Sequence, residues 1–320
     1  MARAIHAPVS SDPANGEGTR QFQQIHIDAA RNATDDFNPF HDPRKSGLIR
    51  GNPYEGTIVL GFQLECLIAA EIDRHRRASG ENAIIEREAL HYRNYQLTFA
   101  DALRPGQAFG VQIKPTLAAA DPASLSNRVV VRSARGLVMI GHVRDTGTAL
   151  YGGDADVASF APLRDAPDRA YVDGTRYFLK RKFMNTGNAK NFLAGSLCDQ
   201  GEYFDELADR VTFPDLFPVA LLSCALLEKA MHGAHDFLAN PMVYVSHAIS
   251  VDRRLARGLR SNDALHMLVA GPAPVEADKG LGRVEAGMLR FTGVGVVGAG
   301  GVLYRADVLM APLESIARAE

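Results

Sequence analysis

The 320-residue sequence predicts an α+β protein made of two similar halves in tandem, each a long central helix wrapped by an antiparallel sheet. Three observations predict this. Gly18-Thr19-Arg20-Gln21-Phe22 returns as Gly174-Thr175-Arg176-Tyr177-Phe178, and Leu64-Glu65-Cys66 returns at nearly the same offset as Leu222-Ser223-Cys224. Each half carries one broad apolar run of helical period. Each run is followed by four strand-like segments divided by turn residues.

Residues 1–18 read as a flexible tail, with Ser10 to Gly16 rich in turn formers. The first half, 19–150, opens with a strand over Arg20 to Ile27, and Asp28 then caps a helix over Ala29 to Asp36. A Gly/Pro/Asn-rich loop spans Ser46 to Gly56. The long helix runs from about Thr57 to Arg77, its apolar positions Ile58, Phe62, Leu64, Leu67, Ile68 and Ile72 covering a wide face. Strands follow at Ala89 to Phe99, Ala108 to Pro115, Asn127 to Ser133 and Gly136 to Asp145, with turns at Arg104-Pro105-Gly106 and Ala134-Arg135-Gly136.

Residues 151–173 turn Gly-, Asp-, Ala- and Pro-rich and read as a linker. The second half, 174–320, repeats the plan. A strand covers Tyr177 to Phe183 and a short helix covers Ala189 to Leu197. A long helix starts near Pro214 and runs through Leu216, Val219, Leu222 and Leu227. Its strands lie at Met242 to Asp252, Ala264 to Ala270, Arg283 to Gly293 and Gly301 to Met310.

Composition narrows the function. Hydrophobic residues make up 46% and charged residues 22%, which suits a globular chain with a large core. A net charge of −2 without any block of one sign argues against nucleic acid as a partner. Cys66, Cys198 and Cys224 are far apart and odd in number, so neither a zinc site nor a redox dithiol is expected, and a reducing, cytoplasmic setting is. The first 18 residues lack a signal-peptide core, and the longest apolar run, Val219 to Leu227, is too short to cross a bilayer.

Asp36-Phe37-Asn38-Pro39-Phe40-His41 is the stretch that carries chemistry. It puts an acid, a carboxamide and an imidazole within six residues, with a proline holding the turn. A carboxylate and an imidazole aimed at one point can hold a water and move its protons. Asn38 can orient either partner or bond a substrate carbonyl. Residue types alone favour the plainer reading, a polar turn after a helix.

Context changes that balance. Thr34 through His41 resembles the signature of the MaoC-like, hydratase 2 family of (R)-specific enoyl-thioester hydratases and dehydratases. Asp36, Asn38, Pro39 and His41 fall on its invariant positions, and Gly56-Thr57-Ile58-Val59-Leu60-Gly61 resembles the start of that family's central helix. The resemblance implies a tandem (double) hot-dog fold and a CoA or acyl-carrier-protein thioester as partner. It implies Asp36 and His41 as the catalytic pair, Asn38 as the residue fixing them or their water, and no metal or organic cofactor. The backbone near Leu60 and Gly61 would then face the thioester oxygen. Arg44, Lys45 and Arg50 follow the motif directly; a solvated loop is their default reading, and a pocket mouth meeting thioester phosphates is the alternative. The sequence departs from the pattern at Asp35, Phe40, Gly47 and Leu60, which replace a glycine, an aliphatic residue, a small residue and a histidine. A looser resemblance, over Ala33 to Pro43, Thr212 to Pro214 and Pro241 to Asp252, is to an uncharacterised proteobacterial family with an Asp-Asp-Phe-Asn-Pro-x-His-Asp run.

Other candidates have plainer readings. Gly293 to Gly298 matches G-x-G-x-x-G but lacks the helix, second strand and acid that a dinucleotide needs, and reads as a hairpin. Arg74-His75-Arg76-Arg77 falls in the last turn of the long helix, where cations meet the negative end of the dipole. Ser246 and His247 are adjacent on a strand and point to opposite faces, so no triad forms with Asp252. His26 and His91 read as structural strand histidines. The second-half counterpart of the motif is placed at Ala189 to Ser196, without acid or imidazole. Two rival functions stand beside hydration: a hot-dog thioesterase using Glu65, and a non-catalytic acyl-thioester binder. Either a monomer or a homodimer fits.

Overall fold

The computed structural model describes residues 3–4, 19–153, 163–275, 287–298 and 300–317. Most of the expected tail, part of the expected linker and the start of the strand expected from Arg283 lie outside the described residues. Within the tail, β1 (Arg3–Ala4) pairs with the edge of the sheet rather than hanging free.

The first half contains β2 (Arg20–Gln21), α1 (Gln24–Thr34), α2 (Gly61–Ala78), α3 (Asn82–Arg87), β3 (Tyr92–Phe99), β4 (Ala108–Ile113), β5 (Leu117–Ala120), β6 (Ala123–Ser133) and β7 (Gly136–Thr146). After β8 (Ala170–Tyr171) come β9 (Phe178–Phe183), α4 (Thr186–Gly195), β10 (Phe204–Asp205), β11 (Arg210–Val211), α5 (Phe217–Ala220) and α6 (Leu222–His232). The chain closes with β12 (Met242–Asp252), α7 (Arg253–Gly258), β13 (Ala264–Pro274), β14 (Leu289–Val297), β15 (Gly301–Pro312) and α8 (Leu313–Ala317).

All strands except β10 and β11 join one antiparallel sheet, ordered β1-β5-β6-β7-β3-β12-β15-β14-β13-β9-β8, with β4 pairing β2 and β6. The seam between the halves is β3 against β12, from Ser246 opposite Thr98 to Asp252 opposite Tyr92. This pairing makes two sheets continuous and carries β12 side chains over α2. Nine consecutive α2 residues, Phe62 to Ala70, are buried, as befits a helix enclosed on every side. Each fully buried aliphatic such as Leu67 or Ile68 contributes roughly 1.5–3 kcal/mol. One apolar core runs from Phe22 and α2 through α4 to β15.

The structure corrects several element boundaries. The strand expected over Arg20 to Ile27 ends at Gln21, and α1 starts at Gln24, five residues before the expected start at Ala29. Gln23 N–H donates to His26 Nδ1 at 2.9 Å, so His26 caps a helix rather than lying in a strand. Ile25 is 69% exposed while Ile27, Ala30 and Ala33 are buried, a helical rather than an alternating pattern. His91 directly precedes β3. The second long helix is broken at Leu221 into α5 and α6. Gly293 and Gly295 lie inside β14, and the hairpin turn falls at Gly298 and Gly300. A Cβ on Gly295 would sit 2.1 Å from the Tyr304 ring, so packing accounts for that glycine.

Candidate active site

α1 delivers the motif. The helix ends where Asp35 enters the left-handed region at φ 52°. There Asp36 N–H donates to Arg31 O at 2.8 Å and Asp35 N–H to Asn32 O at 3.5 Å, the reversal that normally favours glycine. Asp35 accepts it, and its carboxylate pairs with Lys182 from β9.

Two side-chain turns then wind the motif tightly. Asp36 Oδ1 accepts Asn38 N–H at 3.0 Å, and Asn38 Oδ1 accepts Phe40 N–H at 3.1 Å. Pro39 opens a single 3-10 turn that ends at His41. Asp36 and His41 are each left 5% exposed. His41 Nδ1 lies 2.8 Å from Ile58 O. A carbonyl only accepts, so Nδ1 carries a proton and Nε2 is the ring nitrogen left for other partners.

Arg31 ties the turn from outside, donating through Nη1 to His41 O at 3.1 Å and through Nη2 to Asp42 Oδ2 at 3.3 Å. The Arg44 backbone N–H on Asp42, helped by the Arg44 and Arg31 side chains, outweighs burial and lowers the Asp42 carboxyl from 3.8 to about 2. A depressed carboxyl stabilises the fold above its unfolded pKa, and that contribution is lost as pH falls through about 2. Asp42→Asn should therefore give a flatter stability curve between about pH 4 and pH 2 than the wild type. Urea midpoints across that range check it, and parallel curves would rule it out.

One cleft gathers His41, Asn38, Leu60 and Gly61. It encloses about 810 Å³, the solvent at its mouth included, and Phe40, Tyr54, Phe99, Tyr244, Met242 and Met310 are among its other walls. Leu60 is the extended residue before α2, and Leu60 N–H reaches Gln63 Oε1 at 3.4 Å. The first-turn N–H groups of α2 have no acceptor within the helix. A Cβ on Gly61 would lie 2.9 Å from Phe99 Cζ, so only glycine lets that ring close over the helix start.

The remaining expected site residues lie elsewhere. Asp36 is not on the cleft wall. It sits behind it, close enough that its charge, after burial, holds the Tyr244 phenol well above its usual range. Tyr244 therefore stays protonated, its hydroxyl 2.9 Å from Ser223 Oγ. Arg44 and Arg50 are exposed and do not line the cleft. Arg44 is spent on Asp42, and Arg50 N–H binds Leu238 O at 2.8 Å, stitching the loop to the second half. In the basic run, Arg76 is fully buried between Asp145 and Glu81, and Arg77 meets Glu202.

The second-half counterpart of the motif is shifted from the expected stretch. α4 ends with the same reversal: Leu197 has φ 57°, and Cys198 N–H donates to Leu193 O at 2.9 Å. Asp199 Oδ1 then accepts Gly201 N–H at 2.8 Å, as Asn38 does for Phe40. Cys198 thus stands at the place of Asp36 and Glu202 at that of His41. Ala189 to Ser196 is mostly the helix before it, and the two helices cross where a Cβ on Gly195 would meet His26 O at 2.7 Å.

A second acid–imidazole contact escaped the local reading. Glu65 does not face solvent: it and His247 are both fully buried, and His247 Nδ1 lies 2.9 Å from Glu65 Oε1. The residues are 182 apart in sequence. The one local signal is a carboxylate on the apolar face of a buried helix.

Beyond Tyr244 the second half holds an apolar cavity of about 1050 Å³, lined by Leu226, Leu227, Phe237, Leu289 and Phe291 among others. It shares Asn38, Phe40, Met242, Tyr244 and Met310 with the cleft. Among the described residues no cluster of three or more His, Cys, Asp or Glu could hold a metal ion, and no helix is long and apolar enough to cross a membrane.

No family model matches the sequence. No curated protein matches it either. Among solved structures, the chain is similar to a MaoC domain dehydratase from Chloroflexus aurantiacus J-10-fl, at 10% identity over 92% of this chain and 93% of that one, with a TM-score of 0.53. A MaoC-like dehydratase aligns at 9% identity over 92% and 95%, with a TM-score of 0.54. A conserved hypothetical protein from Mycobacterium tuberculosis, described as a double hot dog, aligns at 10% identity over 93% and 94%, with a TM-score of 0.52. The fold is therefore the double hot dog that MaoC-like dehydratases share.

Proposed function

We propose that this chain is a hydro-lyase interconverting 2-enoyl and (R)-3-hydroxyacyl thioesters, carried on CoA or an acyl carrier protein. The observation that carries the reading is His41, whose Nδ1 is held by Ile58 O so that Nε2 is left for a cleft bounded by Asn38 and Gly61. In hydration, His41 Nε2 and the Asp36 carboxyl hold a water between them. Its oxygen adds to C3 and keeps one hydrogen as the new hydroxyl, while the pair accepts the other proton and delivers one to C2 on the same face, so that the pair ends in its starting protonation state. In dehydration the pair takes the C2 proton and protonates the departing hydroxyl. The thioester oxygen gains charge as the C2 carbanion character develops, and first-turn amides of α2 are its donors. Asn38 orients the water or the carbonyl.

Asp36 lies behind the wall, so productive geometry needs it to reach the cleft beside Tyr244 when substrate binds. The apolar cavity past Tyr244 favours an acyl chain that passes out of the cleft into the second half. Glu65, being sealed behind the wall, is badly placed to activate a hydrolytic water, which disfavours the thioesterase reading. The test is hydration of crotonyl and longer enoyl thioesters by the wild-type protein, followed as loss of the conjugated enoyl absorbance. Turnover is expected. A protein inert toward the whole series, or one releasing free thiol instead, would remove this reading.

A further inference from the structure

Glu65 and His247 present an unusual arrangement of polar groups. Both are fully buried, and Glu65 Oε2 and His247 Nε2 have no hydrogen-bond partner among the described residues. Unmet buried polar atoms are costly, and replacing a buried ion pair by apolar residues is often neutral or stabilising. Fold stability therefore gives no reason for the pair.

Its position suggests one. Gly61 and Glu65 are four residues apart on one face of α2, turned toward β12 of the second half. His247 reaches across the seam, its Cε1 3.7 Å from where a Gly61 Cβ would stand. The imidazole thus lies level with the helix start, and the carboxylate lies a turn further in. Three rings enclose it: Phe62 stacks at 4.5 Å and 24°, and Tyr244 and Phe99 meet it edge-on at 4.6 Å and 5.1 Å. Of the three, Phe62 presents its face, the side of an aromatic ring that stabilises an adjacent cation. Gly61, Phe99 and Tyr244 also form the cleft wall, so the pair is one residue layer from the substrate.

We propose that Glu65 and His247 are a positioning pair, with His247 an imidazolium, whose dipole lies parallel to that of α2 and adds positive potential where the thioester oxygen gains charge. This rests on the hydration reading. An aligned charge in a site closed to water strengthens stabilisation of a developing oxyanion without touching substrate, so it acts on turnover more than on binding. The second half, which lacks the motif, would thereby contribute to the reaction through β12.

Two measurements test it. In ¹⁵N NMR of the full chain, both His247 ring nitrogens are expected to carry protons, and Glu65→Gln is expected to leave only one protonated. In enoyl-thioester hydration, the double variant Glu65→Leu with His247→Leu is expected to match or exceed wild-type stability to urea. Its kcat should nevertheless fall about tenfold at an unchanged KM. A merely structural pair would leave kcat per folded molecule at the wild-type value, and that result overturns the proposal. So does a neutral His247 ring in the wild type. Should the double variant fail to fold, Glu65→Gln, nearly the same shape, gives the kcat and KM comparison. A wild type inert toward every enoyl thioester would instead defeat the hydration reading and the positioning role that depends on it. The NMR experiment would still report the state of the pair.

Discussion

His41→Ala and Asp36→Asn are each expected to fold normally and to lose about a hundredfold or more of enoyl-thioester hydration. For His41 the loss follows from removing the one nitrogen presented to the cleft. Its structural bond to Ile58 O is replaceable by water at the cleft edge, so stability should change little beside activity. Asn at position 36 can still accept Asn38 N–H through its carbonyl, preserving the turn while removing the charge and the second proton site. Steady-state kinetics on variants shown by near-UV circular dichroism to be folded would check both. If Asp36→Asn kept more than about a third of wild-type kcat, His41 would be working without a carboxyl partner, and the two-group mechanism would fail.

Asp145→Ala is expected to be the most destabilising single change described, costing about 3–5 kcal/mol. Asp145 on β7 is fully buried and receives Arg93 Nε at 2.9 Å and Arg76 Nε at 3.0 Å. Burial alone would raise its carboxyl, but Arg93 and Arg76 hold it below the usual range. Both guanidiniums are themselves fully buried and are shared with Asp73 and Glu81, each at 2.6 Å. Alanine would leave two buried cations under the end of α2 without the one carboxylate that both share. Equilibrium unfolding in urea measures the loss. A change under about 1 kcal/mol would mean that the arginines escape to water, and the network would then not be holding α2 against the sheet.

The two predictions concern features of opposite legibility. The Asp36 to His41 turn is largely local: the hydrogen bonds that wind it join residues two or three apart, and Arg31 and Ile58 anchor it from farther away. Asx turns and a proline at the head of a 3-10 turn are written in residue type, so the motif could be read and its residues named. The long α2, the β12 strand and the tandem plan were legible for the same kind of reason, since apolar period reports which face is buried. The expected long helix began four residues early because Thr57 to Leu60 is as apolar as the helix itself. What marks the true start is Gln63 reaching back to Leu60. The motif counterpart falls after the expected stretch, because what the two turns share is a left-handed residue followed by a capping side chain, at Leu197 and Asp199 in the second half.

The sequence by itself determined the tandem plan, the long α2, most of the long strands, and a tightly wound acid, amide and imidazole turn, because each is written in the pattern of neighbouring residues. Only the tertiary structure decided that Asp36 lies behind the cleft wall while His41 lines it. It also decided that Arg76 is interior and that Glu65 meets His247 across the seam. These outcomes depend on the register of β3 against β12, which fixes which side chains of one half are pressed onto the central helix of the other. A one-residue slip in that pairing would turn His247 away from α2, and no stretch of the chain read alone specifies it.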